Sequence, residues 1–263
     1  MQDDALAALP SKWRERLARK TIVPIITGMS GVSVFHLNGS GGAGEYLKIG
    51  IGRFADLVHH EVTRTKWLAS VGIRVPDIIA RLLENDLAAA LMTDLGSQTA
   101  DNIGSSGWQA TVAQIGREFA RLHSIAVKAC PFDEGLSVRL ARAGEMVRAG
   151  LIDPAHFDER NRGLTPGALY DRLVASVPEH EDLVVVHGDA DLSNLILSKD
   201  GQVGFVDCGN AGKADRYVDL AVLTAGLEER FGAEALGAFS QGYGHLPWDS
   251  KKTDFYLDLY ELF

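Results

Sequence analysis

The sequence predicts an α+β protein of two lobes, a small β-rich lobe over residues 1–95 and a larger, mainly helical lobe over residues 96–263. Three observations predict it. Short runs rich in β-branched residues dominate the first part. Apolar residues at three- and four-residue spacing dominate from Trp108 onward. Between them lies Thr93–Gly107, polar and glycine-bearing, which reads as a hinge.

Taken in order, Leu6, Leu9, Trp13 and Leu17 predict an opening helix from Asp3 to about Lys20. Thr21–Thr27, Val32–Leu37 and Glu45–Ile49 predict a three-strand meander. Its turns are Gly28-Met29-Ser30-Gly31 and the glycine-rich run that begins at Asn38-Gly39. Leu57, Val58, Val62, Thr65, Leu68 and Ala69 share one face of a helix from Phe54 to Val71, closed by Gly72. Val75-Pro76 forces an extended restart. Ile78–Leu83 and Leu87–Met92 then predict two strands around Glu84-Asn85-Asp86. Val112, Ile115, Phe119, Leu122 and Ile125 mark the first helix of the second lobe. Leu183–Val186, Leu195–Leu197 and Val203–Val206 interrupt the helices as a short β-hairpin region. Helices resume at Asp219–Glu229, Ala233–Tyr243 and Thr253–Leu262.

Composition narrows the function. Hydrophobic residues make up 46%, charged residues 23%, and the mean hydropathy is +0.00, the balance of a globular protein. No apolar run reaches about 18 residues, so no membrane span is expected. The first residues carry no secretory pattern, and two cysteines cannot build a disulfide framework, so a cytoplasmic protein is expected. The net charge of −9 argues against a nucleic-acid partner. That charge is uneven: residues 1–150 hold 17 basic and 15 acidic side chains, and residues 151–263 hold 9 and 20. An acidic second half is either a solvated surface or a face for a cationic partner.

The most informative segment is Val184-Val185-Val186-His187-Gly188-Asp189, an apolar strand that delivers an aspartate, with Asn194 five positions later. A second apolar strand ends in Phe205-Val206-Asp207-Cys208-Gly209. Phosphoryl transfer from a nucleotide needs these groups: one carboxylate for the attacking hydroxyl, and an amide and a second carboxylate as hard oxygen ligands for Mg²⁺. The competing structural reading makes His187 and Asp189 loop caps and Asp207 a hairpin end. Upstream features weigh against it. Lys48 lies among apolar residues of a strand, and Glu61 lies on the next helix, a pair able to grip nucleotide phosphates. Ser30, in a Gly/Ser turn ahead of Lys48, could meet a phosphate.

On these residues the chain resembles the aminoglycoside phosphotransferases, most closely the 3′ type, whose fold is similar to that of protein kinases. The resemblance runs from Gly28-x-Ser30 through Lys48 and Glu61. It continues in Leu122-His123-Ser124, Cys130-Pro131-Phe132-Asp133, His187-Gly188-Asp189 with Asn194, Asp207-x-Gly209 and Ala214-Asp215-Arg216, and ends in Glu261-Leu262-Phe263. It implies Asp189 as catalytic base and Asn194 and Asp207 as Mg²⁺ ligands. Lys48, oriented by Glu61, would hold the α/β-phosphates, and Ser30 the β-phosphate. Met92, Asp94 and Leu95 would form the interlobe strand that meets the base of ATP or GTP.

The drug-binding carboxylates of that family would fall at Asp158 or Glu159, Glu229 and Glu261, joined by the Phe263 carboxylate. Asp191 and Asn210 are assigned to the acceptor side as well. Tyr260 stands where the family often has an acidic residue. His123 and His187 are expected to brace rather than react, and Asp219 to brace the catalytic loop or cap a helix. The implied activity is transfer of a nucleotide γ-phosphate to an aminoglycoside hydroxyl, the 3′-hydroxyl by resemblance, conferring antibiotic resistance, by a monomer or weak dimer. The alternatives are a kinase of another small metabolite and a nucleotide-binding protein without turnover.

Overall fold

The computed structural model describes residues 2–26, 31–38, 44–96, 98–244 and 248–263. They divide into two compact units. The first comprises residues 1–98, 196–200 and 204–210, and the second residues 99–195, 201–203 and 211–263.

The first unit is built on a five-stranded antiparallel sheet in the order β1-β2-β3-β5-β4. Its strands are β1 (Thr21–Ile25), β2 (Ser33–Asn38), β3 (Glu45–Ile51), β4 (Ile78–Leu83) and β5 (Leu87–Thr93). The predicted opening helix is two, α1 (Gln2–Ala8) and α2 (Ser11–Leu17), because Pro10 between them cannot continue a helix. Leu9, Trp13 and Leu17 cover one sheet face, formed by Phe35, Leu37, Leu47, Ile49, Ala89 and Leu91. The other face, with Ala88, Ala90 and Met92, takes Ala55, Val58 and Val62 of α3 (Ala55–Ser70). Both faces of β5 are therefore buried, which is why its sequence is a continuous apolar run rather than an alternating one. Pro24 sits on edge strand β1, where a missing N–H is tolerated.

The predicted hinge region contains a two-residue strand, β6 (Gln98–Thr99), and a 3-10 turn at Ala100–Asn102. The second unit is mainly helical: α4 (Trp108–His123), α5 (Leu136–Arg148), α6 (Pro166–Ala175), α7 (Tyr217–Phe231), α8 (Glu234–Tyr243) and α9 (Ser250–Tyr260). Helices α4 and α8 approach so closely that a Cβ on Gly242 would fall 1.8 Å from the Ala113 carbonyl oxygen. Strand β7 (Leu183–Val186) pairs antiparallel with β10 (Gly212–Asp215), not with the next strands in sequence. Strands β8 (Leu195–Leu197) and β9 (Val203–Phe205) are neighbours of each other. The sequence hides β10 because Gly-Lys-Ala-Asp has no β-branched or aromatic residue; pairing with β7 makes it a strand.

Candidate active site

In the first unit, the two faces of β3 place Lys48. Leu47 and Ile49 point into the layer shared with α1 and α2, so Lys48 faces the opposite way, toward α3. There its Nζ lies 2.7 Å from Glu61 Oε1 and also bonds Asp207. Burial works against a charged ammonium, but the carboxylates of Asp207 and Glu61 outweigh it and hold the Lys48 pKa above its ordinary value. Asp207 has φ 57°, the one positive φ outside glycine among the described residues, a conformation an L-residue holds only under constraint. Arg64, one turn beyond Glu61, supplies such a constraint by donating to the Gly209 carbonyl. Cys208 between them is fully buried, and burial pushes its thiol pKa far up, which keeps it a neutral packing residue.

Of the predicted base-reading residues, Met92 packs its side chain into the core under α3. Asp94 turns its carboxylate onto the Gly96 N–H (2.8 Å) and donates its own N–H to the Gly44 carbonyl (3.0 Å). The Leu95 carbonyl accepts from Arg74 at 3.1 Å. Much of this segment's hydrogen bonding is thus committed within its own unit. Sequence reading passed over Tyr46. Two positions before Lys48, it shares the strand face, and its phenol pKa is raised by burial and by the charges of Asp94 and Asp207. The period of the strand was the signal that could have found it. Ser30 lies outside the described residues, and Asn210 closes the 3-10 turn Cys208–Asn210.

In the second unit, β7 delivers the His187-Gly188-Asp189 loop, and Asp219 fixes it. This fully buried carboxylate, in the first turn of α7, accepts the N–H of His187 (2.7 Å) and of Gly188 (2.8 Å). It also lies 3.1 Å from His123 Nε2, and His123 reaches Tyr243 Oη at 2.7 Å. Burial alone would raise the Asp219 pKa, but the His123 hydrogen bond, the nearby imidazoles and the Gly188 N–H bring it below its ordinary value. Of the two readings left open, the bracing of the loop is the one its hydrogen bonds describe. Gly188 has φ 87°, a left-handed turn that glycine adopts without steric cost, and its carbonyl accepts from buried Arg139 at 3.2 Å.

Asp189 is thereby presented with both carboxylate oxygens engaged. Asn194 Nδ2 donates to Oδ2 (3.1 Å) and to the Asp189 carbonyl (3.0 Å), and Tyr260 Oη donates to Oδ1 at 2.9 Å. Asp191 caps the turn that carries Asn194: its Oδ1 accepts both the N–H (2.8 Å) and the hydroxyl (2.6 Å) of Ser193.

The C-terminal end of α9 gathers the acceptor-side candidates. Glu261 accepts from Asn161 Nδ2 at 2.7 Å and from the Asp158 N–H at 3.2 Å. Its carboxyl pKa is raised, chiefly by burial and with a contribution from the Asp158 charge. Glu159 pairs with Arg162 on the surface, whereas Asp158 meets Glu261 through its backbone N–H. Glu229 is exposed in the last turn of α7, and among the described residues no hydrogen bond or ion pair joins it to the Glu261 network. The Phe263 ring lies 6.0 and 5.9 Å from the guanidinium carbons of Arg139 and Arg142. Sequence reading also missed the arginines: Arg160 and Arg172 bind Asp258 at 2.8 and 2.7 Å, and Arg160 binds Asp254 at 3.1 Å. The acidic half is therefore partly neutralised here.

Residues 26–256 match the model of the family described as "Phosphotransferase enzyme family". The chain belongs to the phosphotransferase enzyme family. It is 35% identical to an aminoglycoside 3′-phosphotransferase of Escherichia coli over 98% of this chain and 96% of the relative. Among solved structures, this phosphotransferase is similar to an aminoglycoside 3′-phosphotransferase of type VIII, with a TM-score of 0.89 and 30% identity over 100% and 99% of the two chains. It is also similar to a 3″-type aminoglycoside phosphotransferase from Streptomyces rimosus, in complex with ADP and streptomycin, with a TM-score of 0.84 and 28% identity over 95% of each chain. These neighbours give the phosphotransferase a protein-kinase-like fold. No helix among its described residues is long and apolar enough to cross a membrane.

Proposed function

We propose that this phosphotransferase moves the γ-phosphate of ATP or GTP to a hydroxyl of an aminoglycoside, the 3′-hydroxyl, and thereby inactivates the drug. One observation carries the reading. Tyr260 holds Asp189, and the next residue is Glu261, so the hydroxyl that holds the candidate base and a carboxylate suited to an ammonium group stand on consecutive residues of one helix end. A polycationic acceptor anchored at Glu261, Asp158 and the Phe263 carboxylate would bring its hydroxyl to the base.

In the reaction, Asp189 accepts the proton of the attacking hydroxyl as its oxygen bonds to the γ-phosphorus and the bond to the bridging oxygen breaks, releasing the nucleoside diphosphate. Lys48, oriented by Glu61, neutralises the α- and β-phosphates. Asn194 spends its amide nitrogen on Asp189, which turns its carbonyl oxygen to other use, and Asp207 offers a half-exposed carboxylate. These are hard oxygen donors that fit Mg²⁺, which would supply charge neutralisation on the phosphates. Asp219 and His123 keep the loop in place without touching the reacting atoms.

The test is nucleoside diphosphate release with Mg·ATP and Mg·GTP against aminoglycosides with and without a 3′-hydroxyl, streptomycin included. Turnover that requires the 3′-hydroxyl supports the reading. Turnover on streptomycin alone moves the transfer to a 3″-position, as in the name of the Streptomyces rimosus neighbour. Turnover on none of them returns the chain to the kinases of other small metabolites.

A further inference from the structure

Tyr260 gives the carboxylate of Asp189 a partner that its role as a base does not require. Asn194, from the same loop, holds Oδ2, which is enough to orient the group. Oδ1 is left to receive a proton, and Tyr260 Oη donates to that oxygen at 2.9 Å. The contact joins residues 71 positions apart, so it depends on where α9 ends, not on local loop geometry. The phenol is half-buried, and burial together with the charge of Asp189 raises its pKa far above the usual value. Toward Asp189 it is therefore a hydrogen-bond donor.

We infer that Tyr260 is a positioning residue that occupies Oδ1 of Asp189 until an acceptor hydroxyl displaces it, and that it thereby suppresses transfer of the phosphoryl group to water. The inference rests on Asp189 being the base. An uncovered carboxylate oxygen would serve a water molecule as well as a sugar hydroxyl: the water oxygen would bond to the γ-phosphorus, the bond to the bridging oxygen would break, the nucleoside diphosphate would leave, and the water proton would pass to Oδ1. Protecting an active centre from that side reaction needs a group that yields to the acceptor but not to water. Tyr260 is suited to it because its neighbour Glu261 is bound to Asn161 and to the Asp158 N–H. An ammonium group that docks on Glu261 acts on the turn that carries Tyr260, so acceptor docking and release of the base share one piece of backbone.

The experiment is ADP release from Mg·ATP with no acceptor, for the wild type, Tyr260→Phe, Tyr260→Leu, Asp189→Asn and Tyr260→Phe combined with Asp189→Asn. Phenylalanine keeps the ring and removes only the hydroxyl; leucine removes the hydroxyl by a different packing change. Both are expected to raise acceptor-free hydrolysis about tenfold, the scale of one hydrogen bond to a charged group. They are also expected to raise the ratio of ADP formed to drug phosphorylated. Adding Asp189→Asn is expected to abolish the gain, which a merely structural role for Tyr260 would not produce. Hydrolysis at or below the wild-type rate in both Tyr260 variants, with drug turnover still lost in Asp189→Asn, overturns the inference and leaves the base assignment standing. Full drug turnover by Asp189→Asn overturns both.

Discussion

Lys48 on β3 and Glu61 on α3 form an ion pair of 2.7 Å inside one unit, each side chain only 11% exposed. The pair is a structural tie and, on the proposed function, a phosphate grip, and the two roles would separate on mutation. Lys48→Met leaves the Glu61 and Asp207 carboxylates without their shared cation. Stability is expected to fall by about 2 kcal/mol, less than for a fully buried pair because Asp207 is half exposed. Adding Glu61→Leu is expected to restore part of the melting temperature but none of the turnover. The Lys48 pKa is raised on folding, so its contribution is fully present below the unfolded value of about 10.4 and is lost only as pH rises through the folded value. The melting-temperature gap between wild type and Lys48→Met is therefore expected to stay constant from neutral pH to about pH 9.

Asp189→Ala removes the proposed proton acceptor and leaves the proposed phosphate-binding residues in place. The expected result is a fall in kcat of about 10²–10⁴ with nucleotide affinity nearly unchanged. Steady-state kinetics with a nucleotide-binding titration check it; a variant with full turnover would reassign the base.

Asp219 acts at one remove. Asp219→Ala strands the N–H groups of His187 and Gly188 in a buried site, at a cost of about 3 kcal/mol, and lets the loop that carries Asp189 drift. Because its folded pKa is depressed, the stability it contributes is present above the unfolded value of about 3.9 and is lost as pH falls through the folded one. Denaturant titrations of wild type and Asp219→Ala are expected to differ fully at pH 7 and to converge in strong acid.

Glu261 runs the other way. Its pKa is raised, so what it contributes to stability is present below about pH 4.3 and is lost as pH rises through the folded value. On the proposed function, the ionised form of Glu261 is the one that would take an ammonium group of the drug. Glu261→Ala or deletion of Phe263 is expected to raise KM for the drug severalfold and KM for ATP little. Between pH 5 and 7 the drug affinity of the wild type is expected to rise more than that of Glu261→Ala. Equal effects on both substrates would remove this end of the chain from the acceptor site.

Those pairings of the candidate site that are written in short stretches of chain are legible in the sequence. Lys48 and Glu61 lie thirteen residues apart on a strand and the helix after it, and Asp189 and Asn194 share one loop. What escaped depends on residues brought from far away. Tyr260 reaches Asp189 across 71 positions, Arg160 and Arg172 reach the carboxylates of α9, and nothing in a run of sequence announces such pairings. Strand β10 was hidden for a related reason, since its conformation comes from its partner β7. The apolar spacing that predicts one long opening helix runs through Pro10, and there the local breaker wins and divides it in two.

Arg160 and Arg172 hold Asp258, the carboxylate three positions before Glu261, whereas Asp189 owes its place to Asn194, Asp219 and Tyr260. Exchanging either arginine would change the charge met by an incoming polycation and leave the phosphoryl chemistry intact. On the proposed function, single substitutions on the α6 side of the cluster would shift the spectrum of accepted drugs while leaving the residues proposed for phosphoryl transfer untouched.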